Sequence, residues 1–307
     1  MFPNISGSTL QYLANLNRTT NNINQTSSQI SSGTRVQQAS DAPAEIAEIL
    51  QLQANIGANQ QVQTNLSNAN AEVSSADSAL QTTISILQQA QSLASEGANS
   101  NSSASQRSIL AQQVAGLQSE LIAASQTQVN GMFIFSGDQD GGPQYQADPT
   151  APEGVQQLFT TSATRTIKDT NGTSIAVALT AQQIFDPRNP DTTPATGNAF
   201  AAINDLLTSL QNNDQAGIQA AAGELGSANT YVNQQLTFYG EAENRITDAT
   251  NLAQKFLTQQ QSDLSQLRDT DEASAAVTLS QEQVQEQASV SVESNLLQMR
   301  NIFYYIA

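Results

Sequence analysis

The sequence predicts a mainly α protein: an elongated antiparallel helical bundle or coiled coil formed by the N- and C-terminal segments, around a small antiparallel β insert. Three observations carry that prediction. Apolar residues recur at steps of three and four over long stretches of both halves. Only 12% of the 307 residues are charged, where an average soluble domain has about a quarter. A short middle region changes composition to alternating β-formers, glycine and proline.

The strongest stripe is Val62, Leu66, Ala69, Val73, Ala76, Leu80, Thr83, Leu87, Ala90 and Ala94. Its unbroken alternation of four and three is a heptad seam, small at one position and larger at the other. A helix from about Ala44 to Ser95 would be roughly 78 Å long at 1.5 Å per residue. The loop composition of 95–103 ends it. The stripe resumes at Leu110, Val114, Leu117, Leu121 and Ala124 and stops near Val129. A third runs through Val232, Leu236, Tyr239, Ile246, Ala253, Leu257, Leu264 and Leu267. Val62, Leu66, Val73, Leu80, Leu87, Leu236, Ile246 and Leu257 are the expected bundle seam.

The terminal segments carry weaker stripes. Leu16, Ile23 and Ile30 recur every seven residues, but Thr20 and Ser27 between them are polar. Near the other end Val277, Val284, Leu296 and Leu297 are separated by Gln, Glu and Ser. Such stripes bury too little apolar surface to hold a helix alone in water, so these helices should be marginal or disordered in a monomer and order only against each other and against neighbouring subunits.

Between the bundle segments, Met132–Phe135, Gln157–Thr160, Thr164–Ile167 and the alternating Ile175, Val177 and Leu179 read as short strands, with an Asn171-Gly172 turn. The insert should close near Asp186-Pro187, with 188–197 as a linker. A helical hairpin is expected from Ala199 to Gln211, and from Gln215 into the long return helix. The division is therefore 1–43 with 272–307, 44–131 with 199–271, and 132–198 as an outer insert.

Composition also excludes functions. Cys 0 removes disulfides, thiolate metal sites and cysteine nucleophiles, and His 0 removes the commonest general base and metal ligand. A net charge of −17 has the wrong sign for phosphate contacts, so no nucleic-acid partner is expected. No apolar run reaches a membrane span, and Met1–Ile5 lacks the basic-then-apolar order of a secretory signal. Asp138-Gln139-Asp140-Gly141 shares part of a calcium-loop pattern, but Ala147 stands where its closing Glu belongs, so a turn is expected. Asp269-Thr270-Asp271-Glu272 reads as a helix stop followed by an N-cap and first-turn acids. No catalytic, cofactor or metal site is expected, and the chain reads as no enzyme.

Several tracts carry a family resemblance. Gln29-Ile30-Ser31-Ser32-Gly33-Thr34-Arg35-Val36, followed by Ser40-Asp41-Ala42-Pro43, resembles the signature of the flagellin family, with Ala42 in place of its second Asp. Asn130 to Gly137 is similar to the Asn-Gly strand after the family's second helix. Tyr239 to Ile246 is similar to its Gly-Ala-x-x-Asn-Arg motif, and Asp269 to Ala273 to its Asp-x-Asp-x-Ala tract.

The resemblance spans nearly the whole chain and implies a structural part of the extracellular bacterial flagellum. Two positions are open: the hook–filament junction, or the filament itself. Pro43, Gln183-Ile184-Phe185-Asp186, the hairpin around Ile203 to Asp214 and the aromatic finish Ile302 to Ile306 favour the junction; the start lacks the usual Met-Arg-Ile-Ser. The implied partners are copies of the chain itself, hook-associated protein 1 on the hook side, flagellin on the filament side, and an export chaperone at the C-terminal helix. Export through the flagellar type III apparatus needs no cleaved signal. The resemblance assigns inter-subunit packing to Leu16, Ile23, Ile30, Val284 and Leu297, and the domain-junction turn to Gly33, Arg35, Asp41 and Pro43. A secreted adhesin or needle component lacks the Gly33–Pro43 tract, and a hydrolase grafted on the insert lacks paired acids.

Overall fold

The computed structural model describes the backbone of residues 7–161 and 165–306 and the side chains of 9–161 and 165–295. Seven helices and six short strands follow one another: α1 (Gly7–Ser32), α2 (Ile46–Gly97), α3 (Ala104–Ser125), β1 (Gln128–Val129), β2 (Met132–Phe133), β3 (Tyr145–Ala147), β4 (Val155–Gln157), β5 (Thr166–Lys168), β6 (Ser174–Ala176), α4 (Ala181–Phe185), α5 (Ala199–Gln211), α6 (Gln215–Arg268) and α7 (Glu272–Ile306). They form two compact units, Met1–Ala58 with Leu257–Ala307, and Asn59–Phe256.

In the larger unit the seam is the core. Leu66, Val73, Leu80 and Leu87 of α2 and Val114 and Leu121 of α3 are wholly buried, as are Val232 and Ala253 of α6. Val62 and Leu236 lie half-buried against the same core, and Ile246 is buried in it. Leu257 is buried in the smaller unit. Alanine alternating with leucine lets the helices approach closely, and these side chains are apolar throughout. Thr83 is the exception: its hydroxyl donates to the Ala79 carbonyl one turn back, so it is satisfied without leaving the core.

Four helix starts carry a local cause. Ser103 caps α3 in a capping box with Gln106, Thr180 does the same for α4 with Gln183, and Asn198 caps α5. Asp214 accepts from the backbone of Ala216 at the start of α6. The helical hairpin begins and ends at the residues the sequence predicts, because Asn198 and Asn212-Asn213-Asp214 punctuate it.

The insert differs from the expected strands. It holds three separate antiparallel hairpins, β1–β2, β3–β4 and β5–β6, and among the described residues no larger sheet joins them. Strand β2 stops at Phe133 because Ile134 and Phe135 are both buried, and consecutive residues cannot point to one face of a strand. The second strand sits two residues earlier than expected, at Val155–Gln157, which leaves Leu158 exposed. Thr164 lies outside the described residues. Val177 and Ala178 are buried and Leu179 is half-buried after β6 has ended. The Leu179 N–H donates to Tyr239 Oη at 3.1 Å, which brings the insert onto α6. Phe135 meets Phe185 and Tyr239 edge-on, and Tyr145 and Phe185 pack on Phe200.

The segment 188–197 is no linker. Arg188 and Pro194 form an antiparallel bridge, Asn189 N–H donates to the Thr193 carbonyl, and Ala195 N–H to that of Pro187. Beside it, Asp186 is wholly buried. It accepts from Tyr145 Oη at 2.5 Å, Asn198 Nδ2 at 2.6 Å and Arg188 Nε at 2.9 Å.

Candidate functional site

The smaller unit contains the terminal helices and the turn between α1 and α2. Gly33 ends α1 with φ at +68°, the left-handed conformation that lets a helix stop. The chain then crosses the α6–α7 connection as a strap. Thr270 N–H donates to the Gly33 carbonyl, Arg35 and Val36 N–H to the Arg268 carbonyl, and Thr34 bridges to Asp269. The guanidinium of Arg35 bonds Glu45 and the carbonyl of Leu267, placing a cation at the C-terminal end of α6, where a helix dipole favours one.

Asp41 turns the strap toward α2. Its Oδ2 accepts from Gln37 and Gln38 N–H, both at 3.0 Å. Pro43 is exposed in the following turn, where its fixed φ suits the bend between Ala42 and Glu45, whose N–H returns to the Ala42 carbonyl. Val36, Ala42, Ile49 and Leu264 form a small apolar cluster beneath, joined by Leu52, Ile56 and Leu267. Gly33, Arg35, Asp41 and Pro43 thus lie along one stretch of chain within one unit.

Helices α1 and α7 run antiparallel: Thr20 bonds Glu286 and Thr26 bonds Glu282. Spacing identifies the faces. On α7 the side toward α1 carries Ala275, Leu279, Glu282, Glu286, Ser289 and Glu293, each less exposed than its neighbours. Diametrically opposite lie Val277 and Val284, exposed by 59% and 62%, while Val292, exposed by 59%, lies on the flank between the two faces. On α1, Leu16, Ile23 and Ile30 are half-buried on the side of Thr20 and Thr26, whereas Leu10 and Leu13 are exposed. The pair is therefore mixed: Thr20, Thr26, Glu282 and Glu286 meet within it beside Leu16, Ile23, Ile30 and Leu279, while Val277 and Val284 face outward. The side chain of Leu297 and those of the aromatic finish 302–306 lie outside the described residues, as do Met1–Ile5.

The acidic tracts resolve as turns and caps. Asp271 Oδ1 accepts from Ala273 and Ser274 N–H and caps α7, and Glu272 occupies its first turn. Asp138 accepts from Thr161, and Asp140 pairs with Arg165. Among the described residues no group of three or more possible ligands could hold a metal ion, and no helix is long and apolar enough to cross a membrane.

Sequence reasoning missed the buried charges. Arg107 in the first turn of α3 donates to the carbonyls of Gly97 and Asn99 and to Asn213 Oδ1. Asp186 and Arg188 escaped because a charge beside proline in a polar segment looks like loop.

The first and last helices pair within one compact unit, and the other unit is a helical bundle with an insert between its helical halves. The bacterial flagellin N-terminal helical region matches residues 4–140 and the bacterial flagellin C-terminal helical region matches residues 222–306, so the chain belongs to the flagellin family. Among solved structures, a putative flagellar hook-associated protein from Vibrio parahaemolyticus is 19% identical, with 75% of this chain and 100% of that one covered and a TM-score of 0.65. Flagellar hook associated protein-3 from Legionella pneumophila is 13% identical over 71% and 98% of the chains, with a TM-score of 0.61. The flagellar junction protein FlgL from the same organism is 13% identical over 72% and 98%, with a TM-score of 0.55. No curated protein sequence matches the chain.

Proposed function

We propose that this chain is a structural component of the bacterial flagellum that self-assembles at the hook–filament junction, between hook-associated protein 1 and flagellin. The observation that carries this reading is the exposed pair Val277 and Val284, one heptad apart and turned away from α1. An isolated pair of helices gains nothing by keeping its valines in water and its glutamates inside, whereas a pair surrounded by copies of itself buries them. Residues 1–43 with 272–307 form the layer that meets neighbouring subunits, 44–131 with 199–271 the outer bundle, and 132–198 the exterior. Val284 and Leu297 pack between subunits, and Leu16, Ile23 and Ile30 hold the layer from the α1 side.

Pro43 and the tract Gln183 to Asp186 support the junction over the filament. The chain leaves the cell through the flagellar type III apparatus, with an export chaperone on α7 beforehand. Uncharged amides and hydroxyls on the helix surfaces suit contacts with unlike neighbours on two sides, which fixed charge pairs would restrict.

A deletion strain tests the assignment. Loss of a junction component leaves hooks without filaments and flagellin in the medium; loss of the filament subunit leaves capped hooks and no free flagellin. Removal of residues 272–307 should leave a folded bundle that cannot assemble, and complete loss of helicity would refute the division.

A further inference from the structure

Around the Arg188–Pro194 bridge, residues 187–196 form a flap in which no side chain is buried, and Gly197 ends it. Apolar burial therefore does not hold it down. Its attachment is ionic. Arg188 donates from Nε to Asp186, from Nη1 to the Thr192 carbonyl at 2.9 Å, and from Nη2 to Glu153 in the β3–β4 turn. One guanidinium thus ties the root of the flap, its tip and a separate turn together. Asp186 completes the attachment from below, since Asn198 bonds it while capping α5 with its other atom.

Under the far limb of the flap lies a cavity of about 220 Å³. Pro194 to Asn198 roof it, Ala201, Ala202 and Asp205 of α5 form one side, and Glu224 and Ser227 of α6 the other. At the far end the backbone turns at Gly197, with φ at +99°, hard against the ring of Tyr231. Tyr231 is itself anchored by a hydrogen bond to the Gln183 carbonyl. The flap is thus fixed sterically at Gly197 and electrostatically at Arg188, with free space beneath its middle.

We infer that Asp186, Arg188 and Glu153 form an ionic latch that closes the 187–197 flap over this cavity, and that the flap opens as a unit while the helical core stays folded. Asp186 has no solvent to replace a lost partner, so loss of Arg188 removes the flap's attachment at both root and tip. Tyr145 remains a donor throughout, because burial, and then the charge of Asp186, push its hydroxyl far above the ordinary tyrosine range. Opening the flap leaves Tyr145 packed on Phe200, so the core keeps its apolar contacts. This device is independent of assembly through the terminal helices.

Hydrogen exchange on the full-length protein tests it. In Arg188→Gln, which removes only a half-buried side chain, the amides of Asn189, Thr192, Thr193 and Ala195 should exchange at least tenfold faster. Those of α3 and of α6 from 225 to 250 should be unchanged. Glu153→Gln should accelerate the same amides less, and Asp186→Asn more. Unaltered flap exchange in Arg188→Gln would overturn the latch. Equal acceleration through α3 and α6 would overturn the separate opening, since the flap would then unfold only with the core.

Discussion

Arg107 donates from Nη1 to Asn213 Oδ1 at 2.6 Å, joining the start of α3 to the turn between α5 and α6 across 106 positions of sequence. The same guanidinium closes the end of α2 through Gly97 and Asn99, so the end of α2, the start of α3 and the α5–α6 turn meet on one buried cation. Its counter-charge is a helix C-terminus, with no carboxylate among these partners.

Arg107→Ala should therefore destabilise the larger unit by about 3 kcal/mol, because three acceptors lose their donor in a site closed to solvent. Arg107→Lys should recover only part, since an ammonium cannot reproduce the planar fork. Denaturant midpoints of the two variants give the comparison. An alanine variant within about 0.5 kcal/mol of the parent would contradict the role assigned to this residue.

Two glycines separate backbone strain from steric exclusion. Gly33 has positive φ and open space around its missing Cβ, so Gly33→Ala should cost about 1 kcal/mol from conformation alone. At Gly197 a Cβ would lie 2.7 Å from Tyr231 Cβ, an atom fixed to the α6 backbone, in addition to φ at +99°. Gly197→Ala should cost about 3 kcal/mol or more. Thermal unfolding should rank them in that order; the reverse order would refute the close approach at Tyr231.

Asp205 on α5 and Glu224 on α6 are two carboxyls placed side by side. Burial, and for Glu224 also the charge and hydrogen bond of Asp205, raise both above the ordinary carboxylate range. A carboxyl whose pKa is higher in the folded than in the unfolded chain adds stability while protonated. That contribution is complete below the unfolded value and disappears as pH rises through the folded one. Glu224→Gln should therefore stabilise the protein at pH 7, by about 0.5 kcal/mol given the solvent around the pair. It should also flatten the loss of stability above pH 4, as melting temperatures from pH 4 to pH 8 would register. Destabilisation at pH 7 would show that the pair is held by something other than mutual tolerance.

Val284→Asp should leave monomer stability within about 0.5 kcal/mol of the parent, because the residue already lies in solvent. Polymer formation should be abolished, as an outward face with a carboxylate beside Val277 cannot be buried against a neighbour. Sedimentation and circular dichroism on one sample give both quantities. Intact polymers from the variant would remove Val284 from the contact.

The helices were written in the sequence because their signals are local and periodic. Ala199–Gln211 and the start at Gln215 coincide with residues that cap, and Leu66 to Leu87 repeat at the spacing that buries them. The strands were not, since Ile134 and Phe135 follow the demands of the aromatic core rather than alternation along a sheet. The orientation of the terminal pair was hidden for a related reason. Leu16 and Val284 carry equal weight in a stripe, and only their pairing across Thr20–Glu286 and Thr26–Glu282 decides which side each takes. Arg107 and Asp186 each depend on a set of partners spread from 2 to 106 residues away, and no single spacing rule reaches such sets.

The hydroxyls of α2 carry one more consequence. Thr64, Ser75, Ser78, Thr82 and Ser95 each donate to the carbonyl four residues earlier, so these five hydroxyl protons are bonded before anything touches the helix surface. With so few charges available to screen, that surface should behave nearly alike in fresh water and in brine.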